Sequence, residues 1–171
     1  MLIATPSLAK VYTNDKENML VMTLATGDVI IKLRPDLAPN HVKRIKQLVR
    51  DGYYKGIKFH RVIPNFIAQT GDPSGKNIGT GTKIDAEFSS EKHIRGTVSM
   101  ARHTDINSAD DQWFICLAPA PHLDNIYTIW GEVISGMEHI DKVKQSPIPS
   151  GMVKNPTPVL DLQVSSDISK N

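Results

Sequence analysis

Phe59-His60-Arg61-Val62-Ile63-Pro64-Asn65-Phe66-Ile67-Ala68-Gln69-Thr70-Gly71-Asp72 reads as two short β-strands broken at Pro64. Alternate side chains of a strand point to one face, so Phe59, Arg61 and Ile63 share a side. By the same rule Ile67 and Gln69 share a face after the break. Arg61 and Gln69 can therefore reach one cavity, with Phe66 or Ile67 as its wall. Taken alone, Arg61 reads more readily as a packed structural arginine.

Outward from this stretch the texture stays β-rich. Phe59 to Ile63, Thr97 to Ala101, Trp113 to Leu117 and Thr128 to Val133 alternate with loops rich in Gly, Pro, Asn and Asp. Toward the N-terminus, the apolar run Met19 to Leu24, the turn residues Thr26-Gly27-Asp28 and the run Val29 to Leu33 predict a hairpin. Pro39 can open a helix, since its fixed φ and missing N–H cost nothing in the first turn. Val42, Ile45, Leu48 and Val49 follow at helical spacing, and Gly52 is placed to stop the helix. Lys43, Arg44, Lys46 and Arg50 would then form a solvated face. Ser135-Gly136-Met137-Glu138 reads as a capping box opening a second helix, whose apolar side is Met137, Ile140 and Val143. Val159, Leu160, Leu162 and Val164 can return a last strand to the first hairpin. Strands outnumber helices and do not alternate with them, which argues against a doubly wound parallel sheet. The expected fold is mainly β: a closed antiparallel barrel, with the two helices plugging its ends.

Composition excludes several function classes. The 171 residues fit one compact domain. Twenty Lys and Arg against 18 Asp and Glu leave a net charge of +2, with basic and acidic residues interleaved. A nucleic-acid protein usually shows a clustered basic stripe instead. No apolar run approaches the ~20 residues that a membrane-spanning helix needs. Cys116 is the single cysteine, so no internal disulfide and no multi-thiolate zinc site can form. It lies in an apolar strand, where a buried inert thiol is expected. The histidines at 41, 60, 93, 103, 122 and 139 lack metal-ligand spacing. Gly71-Asp72-Pro73-Ser74-Gly75-Lys76-Asn77 is one residue short of a phosphate loop and lacks its hydroxyl residue. Gly79-Thr80-Gly81 lacks the third glycine and following helix of a dinucleotide fingerprint, and there is no G-x-S-x-G elbow. Ser, His and Asp are all present, but nothing in their spacing points to a hydrolytic triad. Met1 to Ala9 lacks the basic start and length of a signal segment, which favours a cytoplasmic chain. An upstream start carrying such a segment would make it periplasmic. The expected organisation is a flexible leader over 1–17, a domain over 18–166 and a tail over 167–171.

From about Leu20 to Val164 the chain resembles the cyclophilin family of peptidyl-prolyl cis–trans isomerases. Phe59-His60-Arg61-Val62-Ile63-Pro64, Gln69-Thr70-Gly71-Asp72-Pro73, Ser99-Met100-Ala101 and Trp130-Gly131-Glu132-Val133 fall in family order. The short link Asp51-Gly52-Tyr53-Tyr54-Lys55-Gly56 looks like the compact bacterial type. The resemblance implies an eight-stranded antiparallel barrel capped by two helices. It makes Arg61 the catalytic arginine and Gln69 the residue holding the substrate backbone. Phe66, Ile67, Phe114, Leu123 and Tyr127 become the proline pocket, Ile67 standing where methionine is usual and Tyr127 where many relatives have histidine. Ala101, Arg102, Gln112 and His122 belong to the adjoining peptide groove, with Gly79 near its rim. Arg102 replaces a common asparagine. His122 stands where the best-known members carry tryptophan, so strong cyclosporin binding is not expected. Asp110-Asp111 would favour basic residues in the substrate. The implied partners are proline-containing peptides and unfolded or flexible protein segments, bound by a monomer. The residues at 122 and 127 keep open a second reading, a catalytically weak proline-recognition module or folding chaperone.

The residue types suit the reaction. Rotation about an Xaa-Pro bond breaks amide conjugation, against a barrier of ~18–20 kcal/mol. The proline nitrogen then becomes pyramidal and its lone pair available. A guanidinium aimed at that nitrogen favours the twisted state over either planar one, which lowers the barrier. No nucleophile, metal or cofactor is needed, and none is expected.

Overall fold

The computed structural model describes residues 15–168, so the leader from Met1 to Ala9 lies outside the described residues. Strands β1 (Met19–Leu24) and β2 (Gly27–Leu33) form the expected hairpin. Leu24 pairs with Gly27, so the two-residue turn is Ala25-Thr26, one position earlier than predicted. Helix α1 (Pro39–Arg50) begins on Pro39 and buries Val42, Ile45, Leu48 and Val49 together with His41.

The basic face of α1 is only partly solvated. Lys43 is exposed, but Arg44 donates to the Asp110 carbonyl at 3.4 Å, and Lys46 and Arg50 reach Glu17 at 3.1 and 3.0 Å. Arg50 also donates from Nε to Asp167 at 2.8 Å, and Ser166 donates to Glu17 at 2.7 Å. Arg50 thus ties both Glu17 and Asp167 to the helix. These hydrogen bonds, that from Arg50 foremost, hold the Glu17 carboxyl down at about 2 against an ordinary 4.5. A folded value below the unfolded one means that the stabilisation is present above pH 4.5 and fades as pH falls toward 2. Glu17→Gln is expected to lower stability at neutral pH by no more than about 1 kcal/mol, the scale of exposed ion pairs. In thermal melts across pH, its difference from wild type should shrink through that acidic window; a gap constant with pH would contradict this.

The other strands are β3 (Arg61–Ile63), β4 (Ile67–Thr70), β5 (Thr97–Met100), β6 (Trp113–Cys116), β7 (Ile129–Ser135) and β8 (Asp161–Val164). They form one eight-stranded antiparallel sheet in the order β3-β4-β6-β5-β7-β2-β1-β8. The barrel is not closed by a continuous ladder. Its two edges, β3 and β8, are spanned by bridges at Lys58–Pro158 and Arg61–Met152. Backbone bonds from Phe59 N–H to the Thr157 carbonyl, Val62 N–H to the Gly151 carbonyl, Val153 N–H to the His60 carbonyl and Val159 N–H to the Ile57 carbonyl also cross the seam.

The second helix departs most from expectation. Helix α2 (Met137–Ile140) is one turn long, although Ile140 and Val143 are buried as predicted. The capping box does not form, because Ser135 is the last residue of β7, paired with Ile30. The ladder holds Ser135 in the sheet, and Gly136 takes the cap position instead at φ +86°. A Cβ there would strike the Asp28 carbonyl, so no other residue fits without displacement.

Strand alternation sorts two apolar clusters. Val62, Ala68, Trp113 and Ile115 face the barrel interior with Leu20, Ile31, Val98 and Trp130. The intervening residues Ile67, Phe114 and Cys116 face outward and gather Ala120 and Leu123 into a second cluster. Phe59 belongs to the first cluster, not on the side of Arg61. A tight turn in which His60 N–H donates to the Lys58 carbonyl at 2.9 Å shifts the strand's phase just before β3 begins.

Candidate active site

The outward face of β3, β4 and β6 carries the site. Arg61 lies directly across from Gln69, and Gln69 from Phe114. Directly opposed side chains on one face are close enough to interact. Here Arg61 Nη1 donates to Gln69 Oε1 at 3.0 Å. On its other side Arg61 Nε donates to the Ser150 carbonyl at 3.0 Å. The backbone can come this close because Gly151, at φ +80°, has no side chain; a Cβ would stand 2.6 Å from Ile63 Cγ1 and 3.0 Å from Arg61 Cγ. The guanidinium is therefore braced from two directions and half-buried, not submerged in the core.

Two cavities meet at Arg61. The smaller, about 210 Å³, is lined by Phe66, Ile67, Phe114, Leu123 and Tyr127, with Arg61, Gln69, Ala101 and Arg102 along its mouth. Ile67, Phe114 and Leu123 are almost wholly buried and form its floor. Tyr127 meets Phe114 edge-on at 6.0 Å, and the Arg102 guanidinium lies 4.6 Å over the Tyr127 ring. Arg102 also donates to the Ile126 and His103 carbonyls, so its side chain braces the wall. His122 is exposed and leans on Phe66 at 5.1 Å; it sits on the rim, outside the hollow's lining.

The larger cavity, about 500 Å³, shares Arg61, Gln69, Ala101 and Arg102 and adds His60, Asn77 and Gln112. Gln69 Nε2 donates to Gln112 Oε1 at 2.9 Å, and Gln112 Nε2 donates to Asn77 Oδ1 at 2.6 Å. Gly79 is not part of this lining: it packs against Asp110, whose carboxylate accepts from the Thr80 and Gly81 N–H groups. Asp110 and Asp111 do line this cavity, but their carboxylates are turned to protein partners. Asp110 is spent on that loop, and Asp111 is buried, accepting from Tyr53 at 2.6 Å. Burial raises the Asp111 carboxyl above its ordinary range.

Beneath Phe114 lies a row the sequence did not suggest. The His93 ring contacts Asp124 at 3.1 Å and Ser99 at 2.9 Å, and stacks on Phe114 at 6.4 Å. These are the residue types of a hydrolytic triad, but Ser99 has no exposed surface and donates to the Thr128 carbonyl. No substrate can reach it; the row supports the floor. Cys116 is buried in the same cluster, and burial pushes its thiol up to about 12.

Sequence reasoning also missed His60, Asn77 and Ser150. His60 had a readable signal, its place beside Arg61. Asn77 sat in a loop tested only for phosphate binding. Ser150 contributes a backbone carbonyl, which leaves no mark in side-chain identity.

Fold and site together define a β-barrel protein that can take an extended chain, with an apolar hollow for one ring and a cation at its mouth. Comparison narrows this class. Residues 19–164 match the family model described as cyclophilin type peptidyl-prolyl cis-trans isomerase. A probable peptidyl-prolyl cis-trans isomerase of Brucella suis biovar 1 is 46% identical over 167 residues, covering 90% of this chain and 85% of the relative. The cyclophilin AquaCyp293 of Hirschia baltica superposes with a TM-score of 0.81 at 24% identity, covering 97% of this chain and 83% of its own, a likeness of fold. A cyclophilin type peptidyl-prolyl cis-trans isomerase of Cryptosporidium parvum, crystallised in the presence of the dipeptide Ala-Pro, gives 0.79 at 29% identity over 87% of this chain and 99% of its own. The chain belongs to the cyclophilin-type peptidyl-prolyl cis–trans isomerases, and it is an isomerase of that type.

Proposed function

We propose that the protein turns Xaa-Pro bonds by seating the proline ring in the hollow of Phe66, Ile67, Phe114, Leu123 and Tyr127 while Arg61 meets the twisted imide at its mouth. The preceding residues lie in the larger groove, where Ala101, Arg102 and Gln112 border the chain. The observation that carries this reading is the position of Arg61, which lines both cavities and is braced by Gln69 and the Ser150 carbonyl. Gln69 spends one amide proton on Gln112 and keeps the other for a substrate carbonyl. The ligand class is proline-containing peptides and unfolded or flexible segments, supported by the Ala-Pro dipeptide used with the Cryptosporidium parvum relative.

The energies suffice. Raising a rate of roughly 10⁻² s⁻¹ to roughly 10³ s⁻¹ takes about 7 kcal/mol. One charged donor in a water-poor site supplies about 3–4 kcal/mol. Binding in a half-twisted geometry adds about 1–5 kcal/mol. NMR exchange on an Ala-Pro peptide tests the reading: accelerated exchange supports it, and binding without acceleration would favour a recognition module.

The rim predicts drug binding. An imidazole at 122 offers less apolar surface than an indole, so cyclosporin should bind weakly. His122→Trp is expected to raise cyclosporin affinity about tenfold, from the area and N–H that an indole adds. Turnover should be unchanged. Fluorescence titration measures it; unaltered affinity would put the weakness elsewhere.

A further inference from the structure

The amides beside Arg61 form a chain with a direction. Arg61 Nη1 donates to Gln69 Oε1, Gln69 Nε2 to Gln112 Oε1, and Gln112 Nε2 to Asn77 Oδ1, at 3.0, 2.9 and 2.6 Å. Arg61 can only donate, so Gln69 must turn its oxygen toward it and its nitrogen toward Gln112. Gln112 must then turn oxygen toward Gln69, leaving its own nitrogen in need of an acceptor. Asn77 supplies that acceptor. His60 Nε2 contacts the same Gln112 oxygen at 3.1 Å, while its Nδ1 is buried without a partner. Placing the His60 proton on Nε2 satisfies both facts and reinforces the same orientation. If the chain reversed, an amide NH₂ would face the guanidinium, donor against donor.

Asn77 is itself held. Its N–H donates to Asp72 Oδ2 at 2.9 Å, and Asp72 Oδ1 accepts from Ser74 Oγ at 2.7 Å. Its φ of +56° is one that asparagine tolerates. The loop that carries the terminal oxygen is therefore braced at its backbone.

We propose that Asn77 is a positioning residue for the isomerase reaction, the terminal acceptor that orients Gln112 and Gln69 and so aims the Arg61 guanidinium. This rests on Arg61 acting as proposed above. Its test is an NMR-exchange assay on an Ala-Pro peptide, with kcat and KM separated. Asn77→Gly keeps the backbone conformation but removes the acceptor; it should lower kcat/KM about three- to tenfold, mainly through kcat, the worth of one ordered hydrogen bond. Asn77→Asp keeps an oxygen in place and should stay within about twofold of wild type. Ser74→Ala removes one of the bonds on Asp72 but leaves those from the Asn77 and Gly75 N–H groups and the Gln112–Asn77 contact, so it too should stay within about twofold. Unchanged turnover in Asn77→Gly beside an inactive Arg61→Ala would overturn the relay and leave the isomerase mechanism standing. Equal losses in Asn77→Asp or Ser74→Ala would overturn it too, by reducing the effect to loop rigidity. Full turnover in Arg61→Ala would sink the mechanism and the relay together.

Discussion

Arg61→Ala is expected to lower kcat/KM on an Xaa-Pro peptide by at least about 10²-fold while the fold survives, because a donor aimed at the developing lone pair is worth about 3 kcal/mol. The side chain is half-buried, and its hydrogen bonds go to one carbonyl and one amide at the surface of the barrel. Its loss removes no core packing, since Val62 and not Arg61 faces the interior. Stability should therefore fall by only about 1 kcal/mol. Circular dichroism and a thermal melt check the fold, and a protease-coupled or exchange assay checks the rate. Near-wild-type turnover would remove Arg61 from the mechanism.

Phe114→Ala should damage both stability and binding. Phe114 is 3% exposed at the floor of the hollow, between the His93 ring below and Tyr127 beside it. Truncation opens a cavity in a packed cluster, a change that costs about 3–5 kcal/mol. It also removes the surface against which a proline ring would lie, and affinity should fall about tenfold or more from the lost apolar contact. The two effects separate by temperature: peptide titration well below the melting transition reads binding alone. Unaltered affinity there would place the proline ring elsewhere.

These two residues show what was legible in the sequence. Period-two alternation is a local property, and it places Arg61 and Gln69 on one face. It failed for Phe59 because the His60-to-Lys58 turn resets the phase, and such a turn has no side-chain signature. The capping box at Ser135 failed for a long-range reason, the ladder to Ile30 on a strand a hundred residues earlier. Gly79 was expected near the rim of the groove but packs against Asp110, while Asp110 and Asp111 line the larger cavity with their carboxylates turned toward Thr80 and Gly81 and toward Tyr53. The residues that family order assigns to the pocket, Phe66, Ile67, Phe114, Leu123 and Tyr127, line one hollow, and His122, assigned to the groove, stands exposed against Phe66. What local pattern could not supply was the direction of polar side chains, because that depends on partners distant in the chain. The bracing of Arg61 by residue 150 is the plainest case.

The central claim is that Arg61 acts on the twisted bond and not on ground-state binding. Exchange spectroscopy at saturating Ala-Pro peptide measures interconversion of the bound cis and trans forms directly. The account predicts fast bound-state exchange in wild type, and in Arg61→Ala a peptide still bound but exchanging at least about 10²-fold more slowly. Bound-state exchange as fast in the variant as in wild type would contradict it.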